Sequence, residues 1–173
     1  MKQNNRHLID SIIRVDHAGE YGAARIYEGQ LAVLKGTKSG NEIQKMLDQE
    51  KKHLDTFNKL IIDRNVRPSM LSPLWNLGGF LLGASTALLG PRSAMACTVA
   101  VESVIKDHYT KQLIKLGKND KELSKIIADF KKDEEDHELH AISHGAKKAK
   151  GYKYLSKGIK KMTRIAIKVA ERI

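Results

Sequence analysis

DQEKKHL at residues 48–54 and KDEEDHE at residues 132–138 each contain the motif Glu-x-x-His. The two motifs consist of Glu50 with His53 and of Glu134 with His137. On an α-helix, a separation of three residues places both side chains on one face, one turn apart. Both stretches lie in long segments whose apolar residues recur every three or four positions, the period of an amphipathic helix. The spacing therefore predicts two long helices, each with an acid and an imidazole on a shared face.

The segments that precede these motifs also repeat each other. The shared positions are Glu20, Tyr27, Gln30 and Leu31 in the earlier segment and Glu102, Tyr109, Gln112 and Leu113 in the later one. The interval from Glu20 to Glu50 is 30 residues, and the corresponding interval that ends at Glu134 is 32 residues. The chain therefore contains an internal repeat of a helix hairpin whose shared positions are mainly polar.

Helical periodicity and the positions of glycine and proline predict the helix boundaries. The expected helices cover about residues 7–35, 42–65, 74–89, 93–116, 120–144 and 154–171, the third of them short. Four long helices with one long connection in the middle are typical of a bundle with a crossover. The length of 173 residues fits one domain. We therefore predict a single all-α domain over 1–173, a ferritin-like four-helix bundle with a long central crossover and additional membrane-associated helices.

Each of the four glutamates lies on a helix face that is otherwise mostly apolar. Glu102, for example, follows Val99 and precedes Ile105 on such a face. A carboxylate buried without a counter-charge costs several kcal/mol or more. No lysine or arginine falls on these inward faces between Glu20 and His137. Two divalent cations would balance four carboxylates, so the sequence predicts a two-metal site.

The residue types favour iron or manganese, because zinc sites more often use thiolates or several histidines. Two Glu-x-x-His motifs with one further glutamate from each remaining helix form the ligand pattern of di-iron carboxylate bundles. The predicted ligands are Glu20 and His53 at one ion, Glu102 and His137 at the other, and Glu50 and Glu134 bridging the two.

Several nearby residues are left out of the predicted ligand set. His17 shares the face of Glu20, but its counterpart in the repeat is Val99. The repeat register also favours a supporting or surface role for His140 and His144. Tyr27 and Tyr109 are interpreted as core or supporting tyrosines rather than as radical sites.

The formal net charge of +11 is concentrated at the C-terminus, where residues 145–173 contain ten Lys/Arg and one acid. Such a segment suits an anionic membrane, an acidic protein or nucleic acid. Its apolar stripe suits a helix on a membrane surface, although packing against the bundle is an equal alternative. The stripe consists of Leu155, Ile159, Met162, Ala166 and Val169. Nucleic acid is disfavoured because no aromatic residues interleave with the basic ones after Tyr154.

Residues 68–91 carry no charge and are rich in leucine. They also contain Pro73, Asn76 and several glycines, whereas a spanning helix needs about 20 predominantly apolar residues. We therefore predict a buried or interfacial segment. The N-terminus leads directly into an amphipathic pattern, so no signal peptide is expected. The single cysteine, Cys97, suits a reducing compartment and a packed position.

Three stretches identify a family resemblance. RVDHAGEYGA at residues 14–23 with IYEGQ at residues 26–30, DQEKKHL at residues 48–54, and AMACTVAVE at residues 94–102 resemble the demethoxyubiquinone hydroxylases. The resemblance extends from about Arg14 to the C-terminus, and the lysine-rich end departs from it most. It implies a peripheral membrane monooxygenase with two iron ions, which hydroxylates the ring of demethoxyubiquinone late in ubiquinone synthesis with dioxygen and electrons from NADH.

The same resemblance assigns residue roles. The six family ligands fall on the set chosen from the spacing, and the family's His-Tyr pair, linked to electron delivery, falls on His108 and Tyr109. It also implies an isoprenoid quinone precursor as substrate. The expected location is the cytoplasmic face of a bacterial membrane or the matrix face of the mitochondrial inner membrane. A homo-oligomer and other ubiquinone-synthesis proteins are further candidate partners. The alternative functions are a ferroxidase or iron-storage protein without an organic substrate, and a basic membrane scaffold without tightly bound metal.

Overall fold

The computed structural model describes the chain from residue 2 to residue 172. Within this range the secondary structure is entirely helical, which confirms the predicted all-α, ferritin-like bundle. The helices are α1 (Lys2–Leu34), α2 (Lys38–Asp63), α3 (Ser72–Leu88), α4 (Pro91–Leu116), α5 (Lys121–Ser143) and α6 (Tyr152–Ala170), with a short 3-10 turn at Ala146–Lys148.

The start of α2 differs from the prediction by about one turn. Thr37 caps the helix, because its hydroxyl oxygen accepts a hydrogen bond from the Gly40 backbone N–H at 3.0 Å. Its own hydroxyl donates to the Leu34 carbonyl oxygen at 2.7 Å. Gly40, expected in the turn, is therefore buried inside the helix. Glycine suits this position, since a Cβ there would overlap the Leu34 carbonyl group.

Two hairpins, α1–α2 and α4–α5, form the four-helix core. Hydrogen bonds at both ends of the pair show that α1 and α4 are antiparallel: Asn5 bonds to Asn119 at 3.1 Å, and Gln30 bonds to the Ala94 carbonyl at 3.1 Å. The contacts of Arg64 with Glu122 and of Glu42 with His140 show the same for α2 and α5. The middle turns of all four helices therefore lie at one level.

Helix α4 is the most buried element of the bundle. All residues from Ser93 to Val104 are buried, because α1, α3, α5 and α6 all pack against this helix. Small side chains such as Ala96 and Ala100 make room for these neighbours. Cys97 lies in the same run and is fully buried, as predicted.

The crossover helix α3 packs closely along α1. A Cβ at Gly83 would overlap the Ile26 carbonyl oxygen, and a Cβ at Gly29 would overlap the Phe80 carbonyl oxygen. The two backbones therefore touch, and the opposite side of α3 exposes several leucines: Leu74, Leu77, Leu81 and Leu88. Among the described residues, no helix combines the length and apolarity needed to cross a membrane.

Helix α6 packs mainly against α4 and also reaches α1. Ile159 and Ala170 are buried in this contact, whereas Met162 is 53% exposed and Ile165 is 52% exposed. The bundle therefore covers only part of the apolar face of α6.

Candidate metal centre

The six predicted ligands converge in the middle of the four-helix core. Their side chains form two groups, in each of which the candidate ligand atoms lie within 4.8 Å of one another. The first group contains Glu20, Glu50, His53 and Glu134, and the second contains Glu50, Glu102, Glu134 and His137. All six residues are buried. Glu50 and Glu134 belong to both groups, which is the arrangement expected of carboxylates between two ions.

His53 points its Nδ1 atom into the centre. This atom lies 3.5 Å from Glu20 Oε2 and 3.4 Å from Glu134 Oε1, close enough for ion pairing but not aligned as hydrogen bonds. The other ring nitrogen, Nε2, lies 3.0 Å from Asp133 Oδ2. The ring also stacks on Phe130, with 3.8 Å between the ring centroids. Asp133 and Phe130 therefore fix the ring orientation.

His137 has the equivalent orientation in the other half. Its Nδ1 atom lies 3.1 Å from Glu50 Oε1 and 3.5 Å from Glu134 Oε2. Its Nε2 atom lies 3.2 Å from Gln49 Oε1. Gln49 and Asp133 occupy the same place in the repeat, directly before the glutamate of each motif. Partners of this kind orient ligating imidazoles and tune their basicity.

Two tyrosines hold carboxylates from the opposite hairpin. Tyr27 donates its hydroxyl hydrogen to Glu102 Oε1 at 2.6 Å. Tyr109 donates in the same way to Glu20 Oε1. Burial and the nearby carboxylates raise the pKa of both tyrosines well above the ordinary value. Both hydroxyls therefore keep their protons and orient a candidate ligand, as expected of supporting residues.

The polar atoms at the centre of the cluster have unused bonding capacity. The buried atoms without a hydrogen-bond partner include Glu20 Oε2, both oxygens of Glu50, His53 Nδ1, Glu102 Oε2, both oxygens of Glu134 and His137 Nδ1. Buried polar groups are normally satisfied, so such a concentration requires an explanation. Carboxylate oxygens and imidazole nitrogens are suitable donors for iron or manganese. The six residues therefore fit a pair of divalent ions.

The acid–base properties of the cluster reflect its burial and its charge. Burial and the Glu134 carboxylate raise the pKa of Glu50 and of Glu102 well above the ordinary value. Burial would also raise the pKa of Glu134, but contacts with His137 and His53 outweigh it and lower this pKa to about 2. Burial would lower the pKa of His53, but the contacts with Glu134 and Glu20 raise it to about 11. Protons on the imidazoles therefore offset carboxylate charge in the metal-free protein.

The two residues of the predicted His-Tyr pair have different surroundings. Tyr109 contacts Glu20, whereas His108 lies outside both ligand groups. Gln112 Nε2 lies 2.8 Å from His108 Nε2 and donates to Asp16 Oδ1 at 2.7 Å. Asp16 is buried. The network Asp16–Gln112–His108 therefore lies beside the centre rather than within it.

Asp16, Gln49 and Asp133 are the polar residues near the site that the sequence interpretation missed. Gln49 and Asp133 could have been found from their matching positions in the repeat, whereas Asp16 has no acidic counterpart. The histidines left out of the ligand set lie elsewhere. His17 Nε2 pairs with Asn58 Oδ1 at 2.9 Å, and His140 pairs with Glu42 near one end of the bundle.

An apolar cavity of about 410 Å³ lies between α1, α3, α4 and α6. Gly19 and Val101 form part of its wall, and each is adjacent in sequence to a candidate ligand, Glu20 or Glu102. Trp75 contributes from α3 and Ile167 from α6. A pocket of this size and apolarity is typical of a site for an apolar small molecule.

Comparison with known proteins assigns the family. The family described as Ubiquinone biosynthesis protein COQ7 matches residues 7–170. The chain belongs to this family. The resemblance seen in the sequence is therefore confirmed.

Several curated relatives of the chain are highly similar to it over most of their length. NADPH-dependent 3-demethoxyubiquinone 3-hydroxylase, mitochondrial, of Dictyostelium discoideum is 53% identical over 171 residues, which are 97% of this chain and 79% of that protein. The Homo sapiens protein of the same name is 50% identical over 173 residues, 98% of this chain and 80% of that protein. 3-Demethoxyubiquinol 3-hydroxylase of Rhodospirillum rubrum is 48% identical over 168 residues, 96% of this chain and 79% of that protein.

Proposed function

We propose that the chain is a di-iron monooxygenase that hydroxylates the ring of a demethoxyubiquinone, with dioxygen and electrons from a reduced nicotinamide nucleotide. One observation carries the proposal: two groups of buried ligands share Glu50 and Glu134 in a chain whose relatives are named as hydroxylases of this ring. Iron held by the six residues would supply the capacity to activate dioxygen.

The protein side chains prepare the six residues for this role. Tyr27 and Tyr109 each bind one carboxylate oxygen, of Glu102 and of Glu20 respectively, which leaves the Oε2 atom of each glutamate available to hold an ion. Asp133 and Gln49 engage Nε2 of His53 and His137, so that Nδ1 of each ring faces the centre. Ligands held in this way lose little conformational freedom when a metal binds.

The substrate is proposed to bind in the apolar cavity between α1, α3, α4 and α6. Its wall suits an isoprenoid chain, and it includes Gly19 and Val101, which are adjacent in sequence to Glu20 and Glu102. A quinone ring on this side would lie beside the helix turns that carry Glu20 and Glu102, while the apolar wall would limit access of water.

Electron delivery is proposed to involve His108 and Tyr109. Burial lowers the pKa of His108 to about 4, so the ring is neutral at physiological pH and its Nε2 can accept a hydrogen bond from Gln112. Tyr109 connects this region to Glu20 through its hydroxyl. The Dictyostelium discoideum and Homo sapiens relatives are named NADPH-dependent, whereas the sequence resemblance led us to expect NADH. Both nucleotides belong in the test.

A peripheral membrane location would give a lipid substrate access to this cavity. The proposed membrane-facing surface consists of the exposed side of α3 and the uncovered side of α6. Its apolar residues are Leu74, Leu77, Leu81, Met162 and Ile165. The many lysines of residues 145–173 would attract an anionic bilayer.

The direct test is a product analysis. Iron-loaded protein is incubated with a demethoxyubiquinone analogue, NADH or NADPH, and isotopically labelled dioxygen, and the quinone is weighed by mass spectrometry. We expect a product heavier by one labelled oxygen atom, and no such product with Glu134→Ala. Glu135→Ala is the matched control, because Glu135 is exposed and lies outside both ligand groups.

The same assay separates the competing functions. Iron oxidation with unchanged quinone, repeated on anionic vesicles, would reject the hydroxylase and favour the ferroxidase or iron-storage alternative. Absence of bound iron in the wild-type protein after loading would reject both metal-dependent functions.

A further inference from the structure

We propose that Glu42, His140 and His144 form a third metal site, separate from the core centre, for a divalent first-row transition metal such as Zn²⁺. Glu42 lies in the first turns of α2, and the two histidines lie at the end of α5. One ligand atom from each residue lies within 4.8 Å of the others. Glu42 precedes Glu50 by eight residues, so the two sites are about 12 Å apart along the helix axis.

The spacing of the three side chains suits a single ion. His140 Nε2 lies 3.0 Å from Glu42 Oε2, which is close to the separation of two ligand atoms around one ion with bonds of about 2.0–2.2 Å. His140 and His144 are four residues apart and face the same side of α5, with 4.2 Å between their ring centroids.

Hydrogen bonding already orients the His144 ring for metal binding. Its Nδ1 atom lies 2.9 Å from the His140 carbonyl oxygen. Donation of the Nδ1 hydrogen to this carbonyl leaves the lone pair on Nε2, the nitrogen on the other side of the ring. Ligating histidines commonly donate their second ring N–H to a backbone carbonyl in this manner. The contact is therefore a supporting interaction of the kind found at metal sites.

The surroundings also favour a cation. His144 is the C-cap of α5, and the C-terminal end of a helix carries partial negative charge from its unpaired carbonyl groups. The His140 side chain is 36% exposed and that of Glu42 is 21% exposed, so a bound ion could keep water ligands and would lose little hydration. Two imidazoles with one carboxylate form a ligand set suited to first-row transition metals.

Lys45 competes for one of the proposed ligands. Its ammonium group lies 2.9 Å from Glu42 Oε1 and 3.1 Å from Glu42 Oε2. The Lys45 side chain is 72% exposed, so a metal ion could displace it into solvent at small cost. Removal of this ammonium group should therefore strengthen metal binding, an effect not expected if Glu42 and the histidines had only a structural role.

The test is equilibrium dialysis of chelator-treated protein against buffered Zn²⁺, followed by metal analysis. His144→Ala is expected to bind one zinc ion per chain fewer than wild type. Since loss of a residue behind a ligand already costs about 10–100-fold in affinity, loss of the ligand should weaken binding at least tenfold. His7→Ala is the matched control, because His7 is an exposed histidine outside the candidate clusters. Circular dichroism confirms that each variant is folded.

Two further variants make the outcome decisive. In a Glu134→Ala background the same loss of one ion on His144→Ala is expected, so this result does not depend on the metal content or activity of the core centre. Lys45→Ala should bind the additional zinc ion more tightly than wild type. Equal zinc content in wild type and His144→Ala would overturn the site. An unchanged affinity in Lys45→Ala would remove Glu42 from the ligand set and would overturn the three-residue proposal.

Discussion

The hairpins α1–α2 and α4–α5 supply the same set of candidate ligands but support them differently. Each provides one glutamate from its first helix and one Glu-x-x-His from its second, and each tyrosine hydroxyl binds a carboxylate of the other hairpin. The imidazole partners differ: His53 faces the carboxylate of Asp133, whereas His137 faces the neutral amide of Gln49. The two hairpins therefore share the orientation of their imidazole rings, but only His53 has a charged partner at Nε2.

The outer surroundings of the two hairpins differ as well. Helix α3 covers α1 through backbone contact at Gly29 and Gly83, whereas α6 covers α4 through side chains such as Ile159. The apolar cavity lies where these two covering helices meet the core. The repeat therefore builds the candidate metal site, and the segments outside the repeat build the proposed substrate site.

The largest expected effect concerns the glutamates that both ligand groups share. Glu50→Gln and Glu134→Gln should each lose both ions and lower turnover more than about 100-fold, because loss of a residue behind a ligand already costs about 10–100-fold. Glu20→Gln and Glu102→Gln should each lose mainly one ion. Iron content and quinone product are measured together. If Glu50→Gln retained one tightly bound ion, the bridging assignment would be wrong.

The next effect tests the electrostatic difference between the hairpins. Asp133→Ala should lower metal affinity on the His53 side by about 10–100-fold, since a carboxylate partner makes an imidazole a stronger ligand. Gln49→Ala should have a smaller effect, because a neutral amide polarises the His137 ring less. Titration of chelator-treated protein with Co²⁺, monitored by its visible absorption, measures both variants. Equal losses would show that the two partners act only by orienting the rings.

The convergence of the six candidate ligands could be predicted because helical spacing decides which residues share a face. Glu20 and Glu102 could be found in this way, as could the two Glu-x-x-His motifs. Contacts between helices were not predictable, since they depend on the rotation and register of one helix against another. The bond from Tyr27 to Glu102 and the pairing of His53 with Asp133 are of this kind.

The same limit applies to the covering helices. The apolar stripe of α6 was recognised, but the sequence did not show that Ile159 would be buried while Met162 stayed 53% exposed. The sequence shows that residues 68–91 are rich in glycine, but it does not show why. The close contact between the backbones of α1 and α3 depends on how the two helices pack in the folded protein. Local periodicity thus predicts elements and faces, and packing decides their partners.

A smaller effect is expected from breaking the contact between α1 and α3. In Gly83→Ala the added methyl group would overlap the Ile26 carbonyl oxygen and lie 3.0 Å from the Gln30 backbone nitrogen. Overpacking of this kind costs about 1–3 kcal/mol of the free energy of unfolding. Gly78→Ala is the matched control in the same helix, because nothing lies within 4 Å of its added Cβ. Urea unfolding compares the two, and equal stability would contradict the close packing.

The most gradual effect is the pH dependence of the stability of the metal-free protein. The pKa of His53 is raised to about 11, so the folded protein binds this proton more tightly than the unfolded chain does. The resulting stability is complete below the ordinary histidine pKa of about 6.5 and is lost as pH rises toward 11. The pKa of His137 is raised as well, through contacts with Glu134 and Glu102 that outweigh burial, so both hairpins act in the same direction.

Urea unfolding of chelator-treated protein between pH 6.5 and 9.5 measures this dependence. The free energy of unfolding should fall with rising pH, by at most about 1.4 kcal/mol per pH unit for each histidine. The raised pKa values of Glu50 and Glu102 act in the same direction. Glu134 adds nothing in this window, because its pKa of about 2 limits its contribution to acid conditions. Saturating metal should reverse the trend, since an ion replaces the imidazole protons and binds better as they leave. A pH-independent stability of the metal-free protein would contradict protonated imidazoles at the centre of the carboxylate cluster.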